Sequence, residues 1–248
     1  MKKTSIFMYG KHSATEALLH RPDVISKIYL SPARQEDENL VQAIKKAGLT
    51  FSDLKGNTGD CKESAAHQGV VVKIDLDKLI ISYKDFIAKT PVNPDTSVVI
   101  LGELEDPHNV GAVIRSAAAL GLGAVFIPEH RGSPVTGAVI KVSVGMAFRV
   151  PLVKIGNIND TIKDLKSKGF WIYGLESEGT QTLPSEDFTQ PTAFVLGNEA
   201  TGLRVETKKN CDILLSIPMN KRTESLNAAS SATVAFYAWS LKHPQALD

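Results

Sequence analysis

Three polar blocks, two of them marked by glycine, hold the side chains of this 248-residue chain whose types and spacing could do chemistry. The first reads Asp106-Pro-His-Asn109-Val-Gly-Ala-Val-Ile-Arg115. The second reads Val195-Leu196-Gly197-Asn-Glu199-Ala-Thr-Gly202-Leu-Arg204. The third is Ile217-Pro218-Met219, followed by Ser225-Leu226-Asn227-Ala-Ala-Ser230. A guanidinium is a planar, charged fork suited to anions. Glycines at strand ends let backbone approach a ligand. In an open α/β sheet, ligands bind outside the carboxyl ends of strands, so three such ends define a site before any function is named.

Each residue also has a plainer reading. Asn109 is placed to cap a helix over Val110–Leu120. Arg115 sits on a small-residue apolar helix, where it either snorkels or pairs with an acid, or aims its fork at an anion. Glu199 could stabilise the start of the next helix through the helix dipole. Ser225 or Asn227 could cap the long apolar helix that follows.

The elements that must position these residues read as follows. From Ser97 onward, strands at Val98–Leu101, Ala124–Ile127, Arg149–Val153, Phe170–Gly174, Ala193–Leu196 and Ile213–Ile217 alternate with helices at Val110–Leu120, Val135–Val142, Asn159–Lys168 and Leu203–Lys209. A final helix runs from Asn227 to about Leu241. That alternation predicts a parallel sheet covered by helices. Residues 5–75 read as a small α/β unit, with helical patterns at Ala14–Leu19 and Glu38–Ala47 and strands at Ser26–Leu30 and Val70–Ile74. Leu79–Ile87 is compatible with a helix, and Lys89–Asp95, with Pro91 and Pro94, is linker-like. The expected division is 1–75, a linker at 76–95, and 96–248. The first strand–helix junction of the larger part has neither Gly-x-Gly-x-x-Gly nor a phosphate-loop lysine motif, which disfavours nicotinamide enzymes and ordinary NTPases.

Composition adds bounds. The chain is 43% hydrophobic and 22% charged, with net charge +1, as expected of a soluble globular protein. Residues 1–75 carry 11 Lys/Arg against 9 Asp/Glu, and residues 96–248 carry 14 against 15. Nucleic-acid binding would therefore rest on local patches such as Lys208-Lys209 or Lys221-Arg222, which otherwise read as solvated faces. Lys11, His12, Arg34 and Lys62 are candidate phosphate contacts in the amino-terminal part. No apolar run is long enough to span a membrane, and the amino terminus lacks a secretory core. Two distant cysteines, Cys61 and Cys211, argue against a disulfide framework or zinc site and for a cytoplasmic setting. No metal-ligand cluster is visible, and no metal is expected.

Taken together, Asn109-x5-Arg115, Gly197-Asn-Glu199-x-x-Gly202 and Ile217-Pro-Met-x5-Ser225-Leu-Asn227 resemble the three signature motifs of the SpoU (TrmH) branch of the SPOUT RNA methyltransferases. The resemblance runs through residues 97–243. Tyr9-Gly10-x-His12-x-x-x-Glu16-Ala-Leu18 and His67-Gln68-Gly69-Val70 resemble the ribosomal-protein-like substrate-binding domain of the 23S ribosomal RNA guanosine-2′-O-methyltransferase subgroup. The resemblance implies a C-terminal α/β knot, a homodimer with its site near the subunit interface, and S-adenosylmethionine as cofactor. Leu196, Gly197, Ile217, Pro218, Met219 and Leu226 would hold that cofactor, and Arg115, Asn109, Glu199, Ser225 and Asn227 would be the catalytic set. Arg115 would stabilise a developing ribose alkoxide, with Glu199 orienting it or receiving the proton through water. The implied substrate is ribosomal RNA. Transfer RNA, or a non-catalytic RNA-binding role, are the alternatives. Phe148-Arg149 and the charged insert Lys221–Glu224 depart from the usual pattern.

Overall fold

The computed structural model describes residues 4–55, 67–223 and 225–247; Lys62 lies outside them. The described chain forms two compact units.

The first unit comprises the described residues up to Ile80 together with Val135–Arg149. Strands β1 (Ser5–Tyr9), β2 (Ile25–Leu30), β3 (Phe51–Asp53) and β4 (Val70–Asp75) form a sheet in the order β1-β4-β2-β3. Helices α1 (Lys11–His20), α2 (Pro32–Gln35), α3 (Glu38–Lys46) and α4 (Leu76–Leu79) accompany it. On α3 the Asp37 carboxylate caps Leu40 N–H, and Leu40 and Ile44 fill the core.

In the second unit, α5 (Tyr83–Lys89) precedes an eight-stranded sheet of the order β10-β12-β9-β11-β6-β7-β8-β5. Its strands are β5 (Ile80–Ser82), β6 (Ser97–Leu101), β7 (Ala124–Pro128), β8 (Leu152–Ile155), β9 (Trp171–Leu175), β10 (Gln181–Thr182), β11 (Thr192–Leu196) and β12 (Ile213–Ser216). The pairings from β10 through β8 are parallel. Helices α6 (Pro107–Ala119), α8 (Ile158–Ser167), α9 (Val205–Asn210) and α10 (Ala228–Ser240) cover it, while α7 (Gly137–Val142) belongs to the first unit. Central strands β6 and β11 are buried at every position, as a parallel sheet covered on both faces requires. Phe86 and Tyr83 meet Phe126 edge-on, and Phe236 of α10 packs on Phe194 of β11. Each of the four phenylalanine rings is buried and worth roughly 1.5–3 kcal/mol, whereas Tyr83 is only partly buried. The chain leaves β8 on one side of β6 and returns as β9 on the other, so the topological switch lies between β6 and β11.

Two details differ from the sequence reading. The stretch expected as linker carries α4, β5 and α5. The strand expected from Arg149 begins at Leu152, because Met146–Phe148 form a tight helical turn and Pro151, which has no N–H, follows. Arg149 instead binds Glu16 of α1 with two hydrogen bonds, at 2.6 and 3.2 Å, which explains one of the sequence's departures as an ion pair of the first unit. The hydrogen bond from Arg149, ahead of the opposing effect of burial, holds the Glu16 carboxyl below the usual range.

Helix α7 lies close against β1. A Cβ at Gly137 would stand 2.2 Å from the Phe7 carbonyl oxygen, and backbone cannot yield as a side chain does. Gly137→Ala should therefore destabilise this unit by about 1–3 kcal/mol, the range for overpacking, read as a lower denaturant midpoint. An unchanged midpoint would refute this account of the packing.

Candidate active site

The carboxyl end of β6 leads into α6 through Gly102–Asp106. Asp106 caps the helix by accepting from His108 N–H at 2.8 Å, and Pro107 occupies the first helical position. Proline is pre-organised there. The helix thus begins three residues earlier than expected, and the reading of Asn109 as its cap is overturned. Asn109 sits inside the first turn, 8% exposed, with its amide free for other work.

That amide joins all three blocks. Asn109 Nδ2 donates to Glu199 Oε1 at 3.0 Å, and Asn227 Nδ2 donates to Asn109 Oδ1 at 2.9 Å. Asn227 also caps α10, its Oδ1 accepting from Ala229 and Ser230 N–H. Glu199 further accepts from the backbone N–H groups of Glu105 and Asp106, both at 3.3 Å. Burial pushes the Glu199 carboxyl up. The hydrogen bonds from Asn109 and backbone N–H groups outweigh it, and the net direction is down. Glu199 is therefore an ionised acceptor at neutral pH, poorly suited to take up a proton.

The second block is a tight loop. Asn198 and Gly202 exchange two backbone hydrogen bonds, at 3.0 and 2.9 Å, and the Asn198 side chain accepts from Ala200 and Thr201 N–H while donating to Glu103 O. A Cβ at Gly197 would lie 2.3 Å from the Gly202 carbonyl carbon. Gly197 is thus required by the loop's own backbone, and a substitution there tests the loop before it tests any ligand.

A cavity of about 340 Å³ opens beside this loop, at the carboxyl ends of β9, β11 and β12. Of the expected cofactor residues, Leu196, Gly197, Ile217, Met219 and Leu226 line it; Pro218 does not. Glu199 and Ser225 line it too, while Asn109 and Asn227 stand behind as the link between blocks. Its size is within the usual range for small-molecule sites, and its mix of aliphatic side chains with a few polar groups is typical. The sequence reading missed the contribution of β9, whose end supplies Leu175, Glu176 and Ser177. Glu176 accepts from Leu203 N–H at 2.8 Å and pairs with Lys208 at 3.0 Å. The signal was present: Leu175-Glu-Ser-Glu-Gly179 is a fourth polar strand end, this one marked by glycine.

Arg115 is placed differently. Six residues beyond Asn109, it lies about 9 Å along α6 and roughly 120° around it. It is exposed and makes no hydrogen bond or ion pair among the described residues. Glu199 spends its acceptors on Asn109 and backbone, so the structure does not bring Glu199 to Arg115.

Substitution of Asn109 separates the link's parts. Wild-type Glu199, with its lowered folded value, contributes stability that is complete above the ordinary glutamate range near ~4.3 and is lost only as pH falls through the lower folded value. Asn109→Asp would set two carboxylates together, raising the pair's affinity for a proton. Its stability should then fall between pH 5 and pH 8, where wild type is flat, and Asn109→Ala should lose about 1–3 kcal/mol at both. Denaturant titrations at the two pH values test this; an Asp variant that tracks wild type would contradict the link.

Comparison with known proteins accords with this geometry. Residues 96–237 match the SpoU rRNA methylase family, and residues 7–78 match the family of RNA 2′-O ribose methyltransferase substrate-binding domains. The chain is 33% identical over 245 residues to the 23S rRNA (guanosine-2′-O-)-methyltransferase RlmB of Nitrosomonas europaea, covering 97% of this chain and 93% of that one. It is 31% identical to the protein of the same name from Vibrio vulnificus, over 93% and 94% of the two chains. The SpoU methyltransferase AviRb of Streptomyces viridochromogenes, solved with AdoMet, superposes with a TM-score of 0.79 at 23% identity, over 97% of this chain and 91% of that one.

Proposed function

The chain belongs to the SpoU rRNA methylase family, and on that premise we propose that it methylates the ribose 2′-hydroxyl of a guanosine in 23S ribosomal RNA, as a cytoplasmic homodimer, with the three linked blocks as its active site. It is an S-adenosylmethionine-dependent RNA 2′-O-methyltransferase. The observation that carries the site assignment is the chain Asn227–Asn109–Glu199 beside the cavity.

The cavity suits the cofactor. Leu196, Ile217, Met219 and Leu226 offer aliphatic surface for adenosine, and Glu176 and Glu199 offer negative charge to a sulfonium cation. When bound, S-adenosylmethionine supplies an electrophilic methyl group. The residues of this chain must then orient the ribose and stabilise the oxygen as it loses its proton. Arg115, exposed and without a partner among the described residues, is available for that oxygen and for the adjoining phosphate. A guanidinium remains protonated at neutral pH, so its part is electrostatic. Glu199, Asn109 and Asn227 act as positioning residues. They hold the β6 and β11 loops and the start of α10 in one arrangement. Ser225 lines the cavity, and its part is to meet the ribose.

The dimer rests on α10. Val234, Tyr237 and Leu241 recur on one face and remain 39%, 55% and 61% exposed, while Phe236 and Trp239 are buried on the other. An apolar stripe of this kind fits a subunit contact. In the first unit, Lys11, His12 and Arg34 line a single cavity with Gln68 and Gly69, and Asp37 pairs with both Lys11 and Arg34. These residues are suited to RNA phosphates.

Methyl incorporation into unmodified 23S, 16S and transfer RNA, followed by nucleotide mapping, tests the substrate. Methylation of transfer RNA alone would replace the reading with its nearest alternative, and binding without transfer would point to a non-catalytic relative. Arg115→Ala should slow transfer by ~10²–10³ with cofactor binding intact, and Arg115→Lys should fail as well, since a point charge cannot replace the fork. Near-normal turnover by the alanine variant would remove Arg115 from the mechanism. Tyr237→Asp should shift the sedimenting species from dimer to monomer; a monomeric wild type would count against the dimer.

A further inference from the structure

Two arginines outside the three blocks' expected catalytic set converge on one carboxylate at the carboxyl edge of the large sheet. Glu103, at the end of β6, accepts from Arg204 Nη2 at 2.7 Å and lies 3.9 Å from Arg131 Nη1. Arg204 follows the β11 loop, and Arg131 sits in the loop after β7. The Glu103 side chain is 20% exposed, whereas those of Arg204 and Arg131 are 56% and 66% exposed.

Three observations set this cluster apart from an ordinary surface ion pair. First, two cations share one anion, so the cluster keeps a net positive charge. A guanidinium has five donors; Arg204 commits one of them to Glu103, and Arg131 is beyond hydrogen-bond distance. Second, Glu103 is part of the frame that builds the active site. Its carbonyl accepts from Asn198 Nδ2 at 2.9 Å, and the neighbouring Leu104 carbonyl accepts from Ser133 N–H at 2.7 Å. The loops bearing both arginines are thereby tied to the β6 end, whose next residues bind Glu199. Third, Arg131 has a φ of 64°. A non-glycine residue in the left-handed region is strained, and such strain concentrates at functional positions. Gly132, the next residue, could have taken that conformation freely.

We propose that Arg204, held by Glu103, and Arg131 beside it form a binding site for the RNA phosphodiester backbone beside the target nucleotide. The inference rests on the reading of the chain as an RNA methyltransferase and extends it to residues outside the expected catalytic set. The forked geometry of two guanidinium groups matches phosphate oxygens bidentately. Glu103 orients the Arg204 fork, with Arg131 3.9 Å away, and is the acceptor that a phosphate would displace or share. These are positioning residues, and they contact backbone without reading sequence.

The test measures binding of the full chain to a protein-free 23S ribosomal RNA transcript across a range of potassium chloride concentrations. Arg131→Ala and Arg204→Ala should each weaken binding about tenfold or more. Each should also flatten the plot of log affinity against log salt by about 0.7–0.9. Arg131→Lys and Arg204→Lys should restore the slope, because the slope counts charges, while affinity recovers only in part. Glu103→Gln keeps an acceptor for Arg204 and removes a negative charge, so its affinity should hold or rise at low salt. Melting temperature and S-adenosylmethionine binding serve as controls that a purely structural role would move. Alanine variants with wild-type affinity and slope would overturn the proposal, as would lysine variants that leave the slope flattened. Methyl transfer is read separately. A wild-type protein that methylates no RNA would strike the functional reading, whereas a wild-type slope in the alanine variants would strike this inference alone.

Discussion

The amide of Asn109 holds two hydrogen bonds on which the site's geometry depends. It donates to Glu199, 90 residues onward, and accepts from Asn227, 118 residues onward. Neither partner is near it in sequence, so each bond closes a long loop whose entropic cost has to be met elsewhere. The parallel sheet meets it. Strands β6 and β11 are adjacent and in register from Ser97 and Thr192 to Leu101 and Leu196, so their carboxyl ends emerge side by side and deliver Gly102–Asp106 and Gly197–Gly202 to one place. The Asn109 amide then needs to span only the last few ångströms.

This arrangement also decides among the possible roles of Glu199. A carboxylate that accepts from one side-chain amide and two backbone N–H groups is stabilised as the anion. The same bonds that make it a firm anchor make it a weak base. Proton acceptance and structural anchoring pull the carboxyl in opposite directions, and here the anchoring bonds outweigh the opposing effect of burial. Arg115 presents the reverse case. With no partner among the described residues, its donors are left for a substrate, and its exposed place on α6 is compatible with a chain that meets a large ligand.

Much of the fold could be read from pattern. The alternation of apolar strands and helices after Ser97 led to the parallel sheet, because strands buried on both faces appear as continuous apolar runs such as Ser97–Leu101 and Thr192–Leu196. The motif spacing picked out three loops that the Asn109 amide joins. What pattern missed has physical causes. The start of α6 was displaced because Asn109 and Asp106 are both good caps, and only Pro107 distinguishes them. The place of Val135–Arg149 in the first unit depends on packing against β1 and α1, which no local period reveals. Leu175, Glu176 and Ser177 joined the cavity because β12 and β11 flank β9, and strand order is not written in any single segment. The left-handed backbone of Arg131 carries no sequence signal at all.

Near-neutral overall charge leaves nucleic-acid binding to local patches, and the placement of charge shows how such patches are built. Affinity for phosphate depends on how many cations reach it and how little order must be imposed on them. In the first unit Asp37 holds Lys11 and Arg34, and in the second Glu103 holds Arg204 with Arg131 close by. In each cluster one carboxylate serves two cations. The count of charges stays close to balanced while a surplus of one positive charge remains at each cluster, with side-chain freedom already reduced. A long flexible arginine free in solvent would lose that freedom only on binding, at roughly 0.5–1.5 kcal/mol per immobilised side chain. Tethering moves this cost to folding. It follows that the acidic residues are part of the cationic surface, and net charge alone underestimates what such a surface can bind.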